Sequence, residues 1–125
     1  MKKAILFLVF AGFGLLITAF ITVPAPGPDF PDEVEAVLKN SCYDCHSNDA
    51  SSKKGKLALN FDKWEGFKDT KKISKLNDIC ELVGEGKMPP GKYLANKPDR
   101  ALTDAQKELI CSWAEEESAK LMEGN

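Results

Sequence analysis

Cys42, Cys45 and His46 stand in one five-residue run, Cys42-Tyr43-Asp44-Cys45-His46, which constrains this chain more than any other feature. Two thiols three positions apart, at the end of a helix, can add to the two vinyl groups on one porphyrin edge. A histidine directly after the second cysteine then falls under the iron as its proximal ligand. The pattern is the attachment motif of c-type haem. It predicts one haem c held covalently by Cys42 and Cys45, with His46 as an axial iron ligand. Three other readings meet obstacles. A thioredoxin-like C-x-x-C accompanies a βαβ pattern, and no stretch here shows sustained period-two alternation. A zinc site needs four ligands, and the remaining candidates, Cys80 and Cys111, stand at spacings unlike any zinc finger. An ordinary disulfide within the motif would leave the histidine without a purpose.

The second axial position has few candidates. His46 is the only histidine, so bis-histidine coordination within one chain is excluded. Met1 lies at the N-terminus and Met122 in a polar tail, which leaves Met88, in the stiff run Met88-Pro89-Pro90-Gly91. Proline cannot continue a helix, so this run must be a rigid loop. Met88 is therefore expected as the distal iron ligand; its alternative role is filling the core. A thioether favours ferrous iron and raises the reduction potential relative to bis-histidine ligation.

Compartment follows from the other end. Lys2 and Lys3 precede an uncharged run from Ala4 to Val23, twenty residues long. As a helix it would measure about 30 Å, the hydrocarbon thickness of a bilayer. The exit Val23-Pro24-Ala25-Pro26 obstructs cleavage, so an uncleaved signal-anchor is favoured over a cleaved signal peptide. The expected organisation is a transmembrane segment over 1–25, a Pro-rich spacer over 26–30 and one domain over 31–121. In a bacterium this puts an inner-membrane anchor through residues 4–23 and the domain in the periplasm; after cleavage it would be soluble there. Haem attachment of this type follows export, which agrees.

Within the domain the periodicity is helical throughout. Pro31 suits a helix start before acidic Asp32, Glu33 and Glu35, with Val34, Val37 and Leu38 as the apolar stripe. Residues 47–60 read as a polar surface loop, and Asp62 as the cap of a short helix through Trp64 and Phe67. A helix over about 71–83 carries Ile73, Leu76, Cys80 and Val83 and stops at Gly84 and Gly86. Thr103 and Gln106 form a capping box for a last helix over 104–121, with Leu109, Ile110, Trp113 and Ala114 inward. The fold class is all-α: a single domain of three to five helices with long loops.

Cys80 and Cys111 remain, one per helix, in an exported protein. An even count in an oxidising compartment predicts a disulfide between them, with buried thiols as the alternative. The overall charge is −2, but residues 53–75 hold eight lysines against three acids, net +5. This basic stretch, Lys53 to Lys75, is a docking face for acidic redox proteins, a contact with anionic lipid or a solvated loop. Compartment and net charge argue against nucleic acid.

The run Leu38 to Asn48 resembles the start of the small haem-binding-domain proteins, single-haem c-type cytochromes common in Bacteroidetes-like bacteria. Leu59-Asn60-Phe61 with Trp64, Gly86-Lys87-Met88-Pro89-Pro90 with Tyr93, and Leu102-Thr103 with Trp113 match that family in order, over roughly residues 31 to 117. The chain departs from it in a shorter, Lys-rich loop over 49–56 and in Asn96-Lys97-Pro98, where a histidine often stands. The resemblance implies a cytochrome c-like domain around one haem, attached at Cys42 and Cys45 and ligated by His46 and Met88. The expected role is electron transfer rather than enzymatic catalysis. Phe61, Trp64, Tyr93 and Trp113 are expected as haem packing or core. The alternative is a haem-based sensor or weak peroxidase in which Met88 leaves the iron to admit a small ligand.

Overall fold

The three long helices each carry a start or a stop signal in their own residues. The computed structural model describes residues 29–124. The expected anchor and residues 26–28 of the expected spacer lie outside these residues. In chain order the α-helices are α1 (Asp32–Ser41), α2 (Tyr43–His46), α3 (Lys53–Ala58), α4 (Asp69–Gly84), α5 (Gly91–Leu94) and α6 (Asp104–Glu123). Two 3₁₀ turns, Phe61–Gly66 and Pro98–Arg100, complete the described elements, all of them helical. Six helices exceed the three to five expected because short ones form in stretches that read as loop. Residues 47–60 contain α3, which Ser52 caps by accepting from Gly55 N–H at 3.0 Å.

α1 buries Val34, Val37 and Leu38, as its stripe requires, and Pro31 sits at its N-cap. α6 opens on the expected capping box: Gln106 N–H donates to Thr103 Oγ1 at 3.2 Å, and Thr103 N–H donates to Gln106 Oε1 at 2.9 Å. α4 ends in a glycine-dependent stop. Gly86 takes φ +68°, its N–H reaches the Val83 carbonyl at 3.1 Å, and Lys87 N–H reaches Leu82 at 2.9 Å. That pair of hydrogen bonds, with glycine in the left-handed region, is a Schellman motif. Gly84 is the last helical residue, so Gly86 alone breaks the helix.

The core gathers Leu76, Ile79 and Val83 of α4 with Ile110, Trp113 and Ala114 of α6. Ile79 joins the buried face, while Ile73 is only half-buried. Cys80 and Cys111 form a disulfide between the two helices, their Cα atoms 4.7 Å apart. Beside this pair lies an aromatic cluster. Phe30 meets Trp113 edge-on at 5.5 Å and Phe61 at 6.0 Å, so this residue, at the end of the stretch read as spacer, is core. No helix among the described residues is long and apolar enough to cross a membrane.

Candidate functional site

α1 ends at Cys42, whose N–H donates to the Leu38 carbonyl at 2.8 Å. The Cys42 carbonyl then accepts from both Cys45 N–H and His46 N–H, at 3.1 and 3.0 Å. The whole motif is thus a single helical turn hung on one carbonyl. Cys42, Cys45 and His46 all line one cleft of about 430 Å³, and Met88 lines the same cleft. That volume falls in the range of roughly 300–1,000 Å³ typical of ligand sites. Phe61, Ile79, Leu82 and Val83 make apolar wall.

The histidine is held by backbone oxygens. His46 Nδ1 lies 3.0 Å from the Gly55 carbonyl and 3.1 Å from the Leu59 carbonyl. Both partners only accept, so Nδ1 carries the proton and donates. Nε2 is then the nitrogen with a lone pair, the tautomer that a metal-binding imidazole needs. This arrangement depends on glycine. A Cβ at Gly55 would stand 2.5 Å from the Cys45 carbonyl oxygen and 3.1 Å from Cys45 Cβ. Only a bare backbone lets α3 come this close to the motif.

Met88 is positioned by the end of α4. Besides Lys87, the Leu82 carbonyl accepts Met88 N–H at 3.1 Å, so the residue is tied one step beyond the Schellman motif. The Met88–Pro89 bond is cis, and Pro90 caps α5.

A polar clasp joins the two sides. Asp44 Oδ2 accepts from Tyr93 Oη at 2.8 Å and from Lys97 Nζ at 2.6 Å. Those hydrogen bonds, Lys97 first, hold the Asp44 carboxyl below its ordinary range. Burial, then the bond to Asp44, pushes the Tyr93 phenol up to about 12. Arg100 Nη1 adds a bond to the Asn40 carbonyl at 2.7 Å.

The two motif cysteines are not joined to each other. Burial and neighbouring Cys45 push the Cys42 thiol up to about 12. It is therefore protonated at neutral pH, unlike the thiolate that a dithiol redox centre relies on. Tyr43 stacks on Phe61, rings 5.5 Å apart and 3° from parallel, and its phenol is likewise pushed up to about 12, by burial and by Asp62.

Of the eight lysines in the basic stretch, Lys54 and Lys75 reach the cleft. Lys75 pairs with Asp78 at 3.1 Å and Lys72 with Glu65 at 3.3 Å. Lys71 lies 3.8 Å over the Phe67 ring, and Lys56 donates to the Asn48 carbonyl. Asp62 does not cap a helix. Asn60 does so by accepting from Asp62 N–H at 3.1 Å, while Asp62 accepts from Asn48 N–H at 2.7 Å. Trp64 and Trp113 pack on Phe30 in the core, whereas Phe61 and Tyr93 line the cleft. Gly55, Leu59, Asp44 and Tyr93 support the site without a motif of their own. For Gly55 the one available signal is a glycine shortly after a Ser cap in a Lys-rich run.

These residues fit a flat apolar cofactor that carries an iron: a cleft with apolar walls, an imidazole whose Nδ1 is engaged by backbone carbonyls, a thioether and two unpaired thiols. Neither a curated protein sequence nor a solved structure matches the chain. A family model does, the one described as Haem-binding domain, over residues 50–116. The matched stretch includes Gly55, Met88, Tyr93 and both disulfide cysteines and begins past His46, a shorter span than the resemblance implied. With more than half its length inside that match, a cleft of this composition belongs to a haem protein, and the chain is a member of the Haem-binding domain family.

Proposed function

We propose that this protein is a single-haem c-type cytochrome, exported and tethered to the bacterial inner membrane, that carries electrons between redox proteins in the periplasm. One observation carries the reading: a single cleft gathers Cys42, Cys45, His46 and Met88. Bound haem supplies a one-electron iron couple. The chain supplies the rest. Cys42 and Cys45 would be the thioether anchors, the S–H of each adding across a vinyl group with no atom lost. His46, its Nδ1 proton engaged by the Gly55 and Leu59 carbonyls, offers Nε2 to the iron. Met88 offers the soft second ligand that favours the ferrous state. Phe61, Ile79, Leu82 and Val83, which line the cleft, would keep water from a bound cofactor. The role is that of a carrier rather than an enzyme.

The lysines are the docking side of this reading. Lys54 at the cleft, with Lys53, Lys63 and Lys68 in the same stretch, would steer an acidic partner toward the cofactor edge. The run over residues 4–23 would be the tether.

The test uses the full chain matured in an exporting, haem-competent host. Denatured protein keeps its chromophore, because the attachment is covalent; loss of haem on denaturation sinks the c-type reading. The ferric form shows a low-spin spectrum with a thioether-to-iron charge-transfer band, and Met88→Ala abolishes that band. Fast carbon monoxide uptake by the reduced parent protein would instead move the reading to a haem sensor or weak peroxidase.

A further inference from the structure

The loop that bears Met88 is tied at two places by different means. Upstream, the Leu82 carbonyl takes Lys87 N–H and Met88 N–H, at 2.9 and 3.1 Å. Downstream, Pro89 and Pro90 have no N–H to give. The next anchor to the opposite side of the cleft is a side chain, the Tyr93 hydroxyl, and its partner is Asp44 at 2.8 Å. Asp44 lies between the two motif cysteines. One carboxylate oxygen on the cysteine motif therefore receives two donors from the Met88 side, across 49 residues from Tyr93 and 53 from Lys97. The two arms differ. Tyr93 is half-buried and lines the cleft, whereas the Lys97 and Asp44 side chains are 48% and 37% exposed. Exposed ion pairs contribute little, so the tyrosine arm is the stronger one.

We propose that Asp44 and Tyr93 are positioning residues that hold Met88 at the iron, so that their hydrogen bond sets how often the thioether leaves. The inference rests on the His46/Met88 ligation proposed above. With the clasp closed, the cysteine motif and the methionine loop are held at one separation, and Met88 stays bound. With it open, the loop keeps its upstream tie and, farther along the chain, the Arg100 bond to the Asn40 carbonyl, and a small ligand can compete. The same hydrogen bond would thus divide a dedicated carrier from a ligand-binding haem protein.

The experiment compares Tyr93→Phe, Asp44→Asn, their double variant, Lys97→Met and Met88→Ala in the full-length, haem-loaded chain. Two readouts are taken: the thioether-to-iron band of the ferric form and the rate of carbon monoxide binding to the ferrous form. Met88→Ala loses the band. Tyr93→Phe and Asp44→Asn weaken it and speed carbon monoxide binding about tenfold, the population shift expected from losing one hydrogen bond to a charged group. The double variant falls short of the sum of the two single effects, since both changes act on the same bond. Lys97→Met shifts both readouts less, and Asp44→Glu recovers part of the band.

Ile110→Val, a loss of core packing away from the cleft, leaves both readouts at the parental value. If it shifts them as Tyr93→Phe does, general loosening is the cause and the proposal fails. It also fails if Tyr93→Phe keeps the parental band and rate while Met88→Ala loses the band; ligation then stands without the clasp. An unchanged spectrum in Met88→Ala removes the ligand assignment itself, and the inference with it. Should Asp44→Asn fail to mature, Tyr93→Phe decides, since it removes one oxygen and nothing else.

Discussion

α4 and α6 together bury Leu76, Ile79, Val83, Ile110, Trp113 and Ala114 and are stitched by a disulfide, whereas α2, α3 and α5 hold no fully buried residue and only half-cover their side chains. Yet the short helices carry or brace the motif cysteines, His46 and Tyr93. Helices this short do not form alone, because nucleation is not repaid by propagation over one or two turns. They exist here through caps and single hydrogen bonds: Ser52 at α3, the Cys42 carbonyl at α2, Pro90 before α5 and the Asp44–Tyr93 bond between them. The long pair supplies stability by area, and the short elements supply position by individual contacts. The chemistry sits on the second kind.

The comparison can be broken at its strongest point first. Replacing Cys80 and Cys111 together by serine opens a loop closed over a separation of 31 residues, which costs about 3–4 kcal/mol on the chain-entropy model. The urea midpoint should fall accordingly. An unmoved midpoint would mean that the helix pair does not depend on its cross-link.

Gly55→Ala attacks the other region. The new Cβ forces α3 off the cysteine motif, at a cost of about 1–3 kcal/mol for overpacking. The helical content seen by circular dichroism should stay near parental. Nitrogen NMR should show His46 losing its Nδ1-protonated preference. A variant that keeps that tautomer would show that α3 can shift without disturbing the ring.

The smallest effect is read by pH. The chain has two tyrosines, and both phenols are pushed from 10 up to about 12. A group whose folded value is raised contributes stability below its unfolded value and loses it as pH rises through the folded one. The contribution is therefore complete below pH 10 and fades between 10 and 12. Ultraviolet titration of folded protein should show tyrosinate only toward pH 12, and of denatured protein near 10; coincident curves would refute the burial of both rings.

The two regions were unequally legible in the sequence. The stripes of α1 and α6, the capping box and the Cys80–Cys111 pair follow from periodicity, local caps and cysteine count, all of which act over short or simple relations. The cysteine motif and Met88 stand out because their residue types are rare in this chain. What stayed hidden depends on contacts between distant residues or on shape. α3 looked like loop because Ser, Lys and Gly give no apolar period, and Gly55 matters only for the atoms that face it. Asn60 and Asp62 are both good caps, and composition alone does not choose between them. Asp44 looks like any exposed acid until Tyr93, 49 residues on, is brought to it.

The end of α4 carries one more consequence. Cys80 locks this helix to α6, and Leu82, two residues later, holds Met88 by its carbonyl. The azimuth of the methionine is therefore indexed to the cross-link like a hand on a dial. Adding or deleting one residue between Cys80 and Leu82 would turn that carbonyl by about 100° and carry it about 1.5 Å along the axis.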